Sequence, residues 1–375
     1  ILILLFGVVL GILFVISDRV HKKTYPFVVF ILALAIFYHT SLIGNYVWGW
    51  DIQLTYANIT YIRETGRWTA AVQNFRNPLL ILMLVPAMFA NLTGASVDLF
   101  FKMGMPLLAA LIPVGIYWIA REFLNTKRSA LAALLAACTF VYFTQIIGKQ
   151  QLGEFYIVGL LMLIISDIRD RPLHILFVLF ASGLVLSHYT SSIIAILVIG
   201  FYFTYQTIVW LLFNGQKPIV TITQISILLV FCIVWYMYVA RSTVFFNLSL
   251  TPYIAVQELL TYTGGTEGEA VQSRTGLFYL TSDLNSLVQQ MYRILHLTVF
   301  GLLAVSGISE LYPSFKGEHN KRQAVIYGCT GGFVILLLVS TLVQANLGID
   351  RIYEWGLIVF ASFIVLGWVK VNYSL

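Results

Sequence analysis

Apolar side chains along this chain come in long unbroken blocks, and polar residues collect in short segments between them. A helix needs about 20 apolar residues to cross bilayer hydrocarbon, with a lower limit near 17 that tilted or protein-buried segments undercut. Eleven blocks meet or approach that length: residues 1–16, 26–44, 100–120, 130–147, 155–166, 173–187, 191–213, 219–240, 287–308, 324–343 and 355–369. The fifth and sixth are short, which predicts burial among other helices. A twelfth block, 79–90, reads as interfacial or re-entrant, because counting it as a crossing would place the basic loops on alternating sides of the membrane. The first block opens directly at Ile1 and no small-residue cleavage site follows it; the next residues are Asp18, Arg19, Lys22 and Lys23. It therefore reads as a membrane helix, truncated or processed at its start, rather than as a signal peptide.

Composition agrees with this pattern. Of 375 residues, 59% are hydrophobic and only 10% charged, against roughly 25% charged in soluble domains. A soluble enzyme, a nucleic-acid-binding module and a disordered regulator are excluded, despite the net charge of +6. The basic excess instead carries topology. Arg19, Lys22, Lys23, Arg121, Lys127, Arg128, Arg169, Arg171, Lys217, Lys316, Lys321, Arg322 and Lys370 fall on one side, all in short connections, so this side is expected to be the cytoplasm. A single all-α transmembrane domain, 1–375, then carries two substantial outer loops, 45–99 and 241–286. Charged and titratable residues gather at the outer helix ends: Asp51, Lys149, Glu154, His188, Asp350, Arg351 and Glu354. Helix centres are almost free of charge and no internal repeat is visible, which speaks against a transporter with a midplane site. Cys138, Cys232 and Cys329 lie far apart in apolar runs and read as inert packing residues.

The first outer loop opens Trp48-Gly49-Trp50-Asp51. Ile52, Tyr56, Ile59 and Ile62 then recur at helical spacing, predicting an amphipathic helix at the interface that Thr65-Gly66-Arg67-Trp68 ends. Read locally, Asp51 is a helix N-cap, Lys149 snorkels to the interface, Arg351 pairs with Glu354 and His188 bonds a helix end. In the second outer loop, Tyr262-Thr263-Gly264-Gly265-Thr266-Glu267-Gly268-Glu269 is a Gly-rich acidic turn between expected short helices at 252–262 and 276–284, serving as a lid or a connector. Asn58-Ile59-Thr60, Asn91-Leu92-Thr93 and Asn247-Leu248-Ser249 meet the N-glycosylation pattern.

An acidic residue opening the first outer loop, a Tyr56-Ala57 pair within an amphipathic helix, Gly66 and Trp68 near its end, and the apolar segment Asn77-Pro78-Leu79-Leu80 together resemble the GT-C superfamily of membrane glycosyltransferases. Within it, the likeness is to the protein O-mannosyltransferases and the lipid A aminoarabinose transferases. Lys149-Gln150-Gln151-Leu152-Gly153-Glu154-Phe155, Ser187-His188-Tyr189-Thr190-Ser191 and Asp350-Arg351-Ile352-Tyr353 extend it towards an uncharacterised, mostly archaeal family of GT-C-like membrane proteins. The resemblance implies about 11 membrane helices, with juxtamembrane helices in the first outer loop. It further implies inverting transfer of a sugar from a polyprenyl-phosphate donor to a protein, lipid or glycan acceptor at the outer face. Asp51 would be the catalytic base, since an attacking hydroxyl must lose a proton. Lys149, His188 and Arg351 would cradle the departing phosphate, and Gln150, Gln151, Glu154 and Tyr56 would bind sugar or acceptor. Many relatives carry a second carboxylate beside the first, but Ile52 follows Asp51 here. A divalent metal is therefore not favoured, and no cofactor is required. The alternatives are a polysaccharide polymerase or ligase and, from a different class, a secondary transporter of a lipid-linked or small polar substrate.

Overall fold

The computed structural model describes residues 2–17, 21–47, 52–70, 77–138, 148–166, 168, 170–213, 215–240, 257, 287–316, 318–342 and 349–374. All regular structure within them is helical: α1 (Leu2–Ile16), α2 (Tyr25–Ser41), α3 (Ile52–Thr65), α4 (Leu80–Thr93), α5 (Val97–Ala120, with a π-helical turn at Phe100–Gly104), α6 (Thr126–Ala137), α7 (Gly148–Ile165), α8 (Asp170–Ser187), α9 (Tyr189–Phe213), α10 (Ile222–Val239, ending in a π-helical turn), α11 (Leu287–Phe315), α12 (Lys321–Leu342) and α13 (Ile349–Ser374). Local signals start several of them. The Asn125 side chain accepts from the Arg128 backbone N–H at 3.0 Å to cap α6, and Thr221 and Gln224 form a reciprocal capping box on α10.

Among the described residues, seven helical segments are long and apolar enough to cross a membrane: Lys22–Ser41, α5, α9, α10, Arg293–Phe315, Lys321–Ser340 and Arg351–Asn372. The expected eleven also counted the blocks that fall in α1, α6, α7 and α8. Of these, α1 has 15 residues and α6 has 12, ending where the described residues nearly end, while α7 and α8 have 18 each. At 14 residues α4 is too short to cross on its own. Two boundaries differ instructively. α7 starts at Gly148 and α13 at Ile349, rather than at 155 and 355. The polar motifs expected to precede these helices are their first turns.

α13 is the hub, packed against α11, α12, α6 and α5. Trp355, Leu357, Ile358, Val359, Phe360, Ala361 and Phe363 are essentially inaccessible, so this helix is buried all round. Close approach is set by Gly367, where a side-chain carbon would stand 2.1 Å from the Leu302 carbonyl oxygen on α11. Large apolar side chains of α10 and α11, among them Val230, Ile294 and Ile308, face outward, as a lipid-facing surface does. A second apolar cluster joins Ile52, Ile59 and Ile62 of α3 to Leu82, Met83 and Ala87 of α4, Phe101 and Met105 of α5 and Leu152 of α7.

Polar groups mark the two ends of the bundle. At one end Arg322 Nη1 meets Glu122 Oε1 at 3.3 Å, and Gln323 donates to the Glu122 carbonyl at 2.8 Å. His319 Nε2 lies 3.0 Å from Glu310 Oε2, Lys370 pairs with Glu310, and Lys370 Nζ donates to Ser309 Oγ at 2.6 Å. Connections that the charge pattern put on one side therefore meet at one end. Glu354, near the start of α13, lies at the other, about 24 Å along the helix axis from Lys370. Cys232 and Cys329 are buried as expected, but Cys138, just beyond α6, is exposed and is not a packing residue.

Candidate functional site

Three helix ends converge at the Glu354 end of the bundle: the first two turns of α7, the α8–α9 junction and the first turns of α13. Gln150 and Glu154 stand one turn apart on α7, and the Gln150 amide Nε2 donates to Glu154 Oε1 at 3.2 Å and also to Glu354 Oε2. One amide with two N–H groups thus bridges two carboxylates from different helices. Both are buried, Glu154 at 0% and Glu354 at 4% exposure. Lys149, at 8%, is buried rather than extended to the interface, whereas Arg351 is exposed.

His188, 2% exposed, occupies the turn between α8 and α9. Its Nδ1 lies 2.7 Å from Ser191 Oγ. Burial, and then the positive charges of Lys149 and Arg351, hold this imidazole well below its ordinary pKa, so the ring is neutral. In a neutral ring, a Ser191 hydroxyl that donates to Nδ1 leaves the proton on Nε2. The cluster thus brings together two acidic side chains, joined through the Gln150 amide, and the helix ends that bear Lys149 and Arg351. Gly153 permits the arrangement, since a side-chain carbon there would stand 2.4 Å from Ser191 Oγ and 3.1 Å from His188 Cβ. The Trp355 ring lies 6.0 Å from that of His188.

The segment that follows α3 is pinned beside this cluster. Gly66 adopts φ +69°, a left-handed conformation that favours glycine, and its N–H closes α3 on the Ile62 carbonyl at 2.9 Å. The chain thereby turns so that Trp68 stacks on Trp235 of α10 at 5.9 Å and donates to the Asn77 carbonyl at 3.0 Å. Trp235 in turn donates to the Pro78 carbonyl at 2.9 Å. Between α4, α5 and α7 runs a cavity of about 130 Å³ lined by Leu82, Pro86, Phe100, Leu108, Leu152 and Phe155, among others. Leu152 belongs to this cavity and directly follows Gln151, so polar cluster and apolar groove share α7.

Of the residues singled out in sequence, Lys149, His188 and Arg351 come close enough for both cations to act on the imidazole. Gln150 and Glu154 are joined, and Gln151 lies beside them. Tyr56 is half-buried against the cluster that contains Leu152. Asp51 and the loop 241–286, apart from Gln257, lie outside the described residues, although Ile52, which follows Asp51, is buried in that same cluster. Asn58 is buried within α3 and makes a poor glycosylation acceptor. Sequence reading gave Ser191 and Trp355 no role, and placed Glu354 among the charges at the helix ends and as a local partner of Arg351 without pairing it to α7. Their polar type at helix starts was visible, but the long-range pairing that gathers them was not. Among the described residues no three His, Cys, Asp or Glu side chains are grouped to hold a metal. Glu154 and Glu354 have the Gln150 amide nitrogen between them.

No curated protein matches the sequence. A family described as Predicted membrane protein (DUF2206) matches residues 173–374, a stretch that includes His188, Ser191, Arg351 and Glu354. That match spans more than half of the chain, and the chain belongs to this family of membrane proteins.

Proposed function

We propose that the protein is a membrane glycosyltransferase that moves a sugar from a polyprenyl-phosphate donor to an acceptor hydroxyl, with inversion, at the extracytoplasmic face. The observation that carries this reading is the meeting of the three helix ends that bear Lys149, His188 and Arg351, made by the Gln150–Glu354 bond, the His188–Trp355 ring contact and the close approach of Gly153 to His188 and Ser191, next to an apolar groove. A lipid phosphate needs both: charge-assisted donors for the leaving phosphate and an apolar path for the chain.

In this reading Lys149 and Arg351 neutralise the phosphate, and neutral His188 donates a hydrogen bond through Nε2 without adding a third charge. Asp51 takes the proton from the acceptor hydroxyl as its oxygen bonds to the anomeric carbon, while polyprenyl phosphate leaves from the opposite face. Gln150, Gln151, Glu154 and Tyr56 contact sugar or acceptor. Eleven crossings, with α3 and α4 lying at the interface, put the cluster outside and the Glu310–Lys370 end in the cytoplasm, as the short basic connections require. The test is transfer of a radiolabelled sugar from polyprenyl phosphate by the purified, reconstituted protein. Label appearing in an acceptor with stoichiometric polyprenyl phosphate release supports the reading. Movement of intact lipid-linked sugar across the bilayer without cleavage would replace it with transport.

A further inference from the structure

The bundle end that carries Glu310 and Lys370 is rich in cations, and several of them have partners within the protein. Arg322 meets Glu122, Lys370 meets Glu310, Lys217 lies over the Trp210 ring at 4.9 Å and Lys316 over that of Tyr312 at 4.3 Å. Lys22, Lys23 and Arg121 are exposed and have no acidic partner among the described residues.

The fold collects these three side chains in one sector. Tyr38, near the end of α2, donates to the Met103 carbonyl in the π-helical turn of α5 at 3.1 Å, and Lys102 Nζ donates to the Gly44 carbonyl beyond α2 at 2.6 Å. α2 and α5 are therefore antiparallel neighbours, and the start of one lies beside the end of the other. Lys22 and Lys23 form the short 3₁₀ turn that leads into α2, and Arg121 follows the last residue of α5. Tyr25, which opens α2, is within electrostatic reach of Tyr117, one turn before Arg121. The carboxylate next in sequence, Glu122, is already paired with Arg322, so the sector keeps a net positive charge.

The surface beside these charges separates a lipid from a soluble anion. Phe27 and Ile31, exposed at 66% and 44%, follow Lys23 at intervals of four residues. On α5, Leu111 and Trp118, exposed at 41% and 47%, share one face, and Arg121 lies one turn beyond Trp118. Each helix thus presents an apolar stripe that ends on a cation, and α5 adds a tryptophan at the depth where headgroups sit. A soluble phosphate would meet the cations alone. An anionic phospholipid would meet the cations with its phosphate and the stripes with its chains.

We propose that the start of α2 and the end of α5 form a binding surface for an anionic phospholipid of the adjoining leaflet, with Lys22, Lys23 and Arg121 facing its phosphate and the Phe27 and Trp118 stripes lying along its chains. This surface is at the opposite end of the bundle from the Glu354 cluster and does not depend on the transferase reading.

Native mass spectrometry of the full chain, titrated in detergent, tests it with three probes: phosphatidylglycerol, phosphatidylcholine with the same chains, and glycerol phosphate. Phosphatidylglycerol should bind more tightly than phosphatidylcholine, and equimolar glycerol phosphate should not displace it. Lys23→Gln and Arg121→Gln should each weaken phosphatidylglycerol binding roughly 5-fold, the effect of one cation at a membrane surface, with phosphatidylcholine binding unchanged as evidence of folding. Lys321→Gln removes an exposed cation at the start of α12, outside the sector, and should change neither. Equal affinity of the native protein for the two lipids overturns the proposal, and displacement by glycerol phosphate overturns the choice of a lipid. A loss in Lys321→Gln as large as in Lys23→Gln overturns the assignment to α2 and α5. Should a Gln variant lose both lipids, Lys23→Arg and Arg121→Lys decide: the charge-conserving pair should keep the preference for phosphatidylglycerol, and its loss contradicts the proposal.

Discussion

His188 shows how one residue's environment decides what it can do. Its protonated form would have to sit, almost fully buried, near Lys149 and Arg351, and burial and both charges oppose that. The sign for stability follows: the folded state keeps the ring neutral, while the unfolded chain takes up a proton below about pH 6.5. Stability is therefore full above that value and declines as pH falls below it, towards the depressed folded value. Thermal unfolding in detergent from about pH 8 down to about pH 5 should show this decline, and His188→Gln should flatten it. A slope that is the same in both proteins would remove the neutral imidazole from the account. Ser191 makes a second residue-scale case: its hydroxyl lies 2.7 Å from Nδ1, and a hydroxyl that donates there fixes the ring proton on Nε2. Nitrogen chemical shifts of labelled histidine should report Nε2–H in the native protein and a mixture in Ser191→Ala. At Asp51 the amide of Asp51→Asn keeps a capping oxygen and nearly the same shape but has no useful proton affinity. Loss of about 10² to 10⁴ in transfer rate is expected for a base; near-normal turnover at unchanged stability would make Asp51 a cap.

At the scale of elements, apolar block length located the helices well. Ile52, Ile59 and Ile62, expected on the apolar face of α3, are buried together. The starts of α7 and α13 were not legible. Their opening residues are polar, and polarity next to a membrane block reads as loop. They are helical because partners from other helices satisfy them: Gln150 finds its carboxylate 204 residues away on α13. No local pattern contains that partner. Gly66 and Trp68, by contrast, were recognisable as a helix end, and the structure supplies the reason in a left-handed turn that delivers Trp68 to Trp235. Gly66→Ala should cost about 1 to 2 kcal/mol through the strained φ alone. Gly153→Ala acts differently, because its methyl would displace Ser191 and His188. Overpacking of this kind costs about 1 to 3 kcal/mol, and the Nε2–H signature should be lost with it. A Gly153→Ala protein with native stability and native histidine shifts would show that the α7 contact is not as close as described.

Across the whole molecule, two polar ends about 24 Å apart along α13 bracket an apolar bundle, a spacing that fits a bilayer core of about 30 Å. Single cysteines at Lys127 and Lys321, in a cysteine-free background, should label only from the cytoplasmic side; labelling from outside would put the proposed chemistry on the wrong face. The central claim is that α7, the α8–α9 junction and α13 build one anion site, and a double-mutant cycle on polyprenyl phosphate binding tests it most directly. Lys149→Gln and Arg351→Gln should each weaken binding, by about 2 to 5 kcal/mol where the lost charge faced a buried phosphate. The combined variant should depart from additivity by about 0.5 kcal/mol or more, because both side chains act on the same group. Strictly additive losses, or native affinity in either single variant, would mean that these helix ends do not form one site.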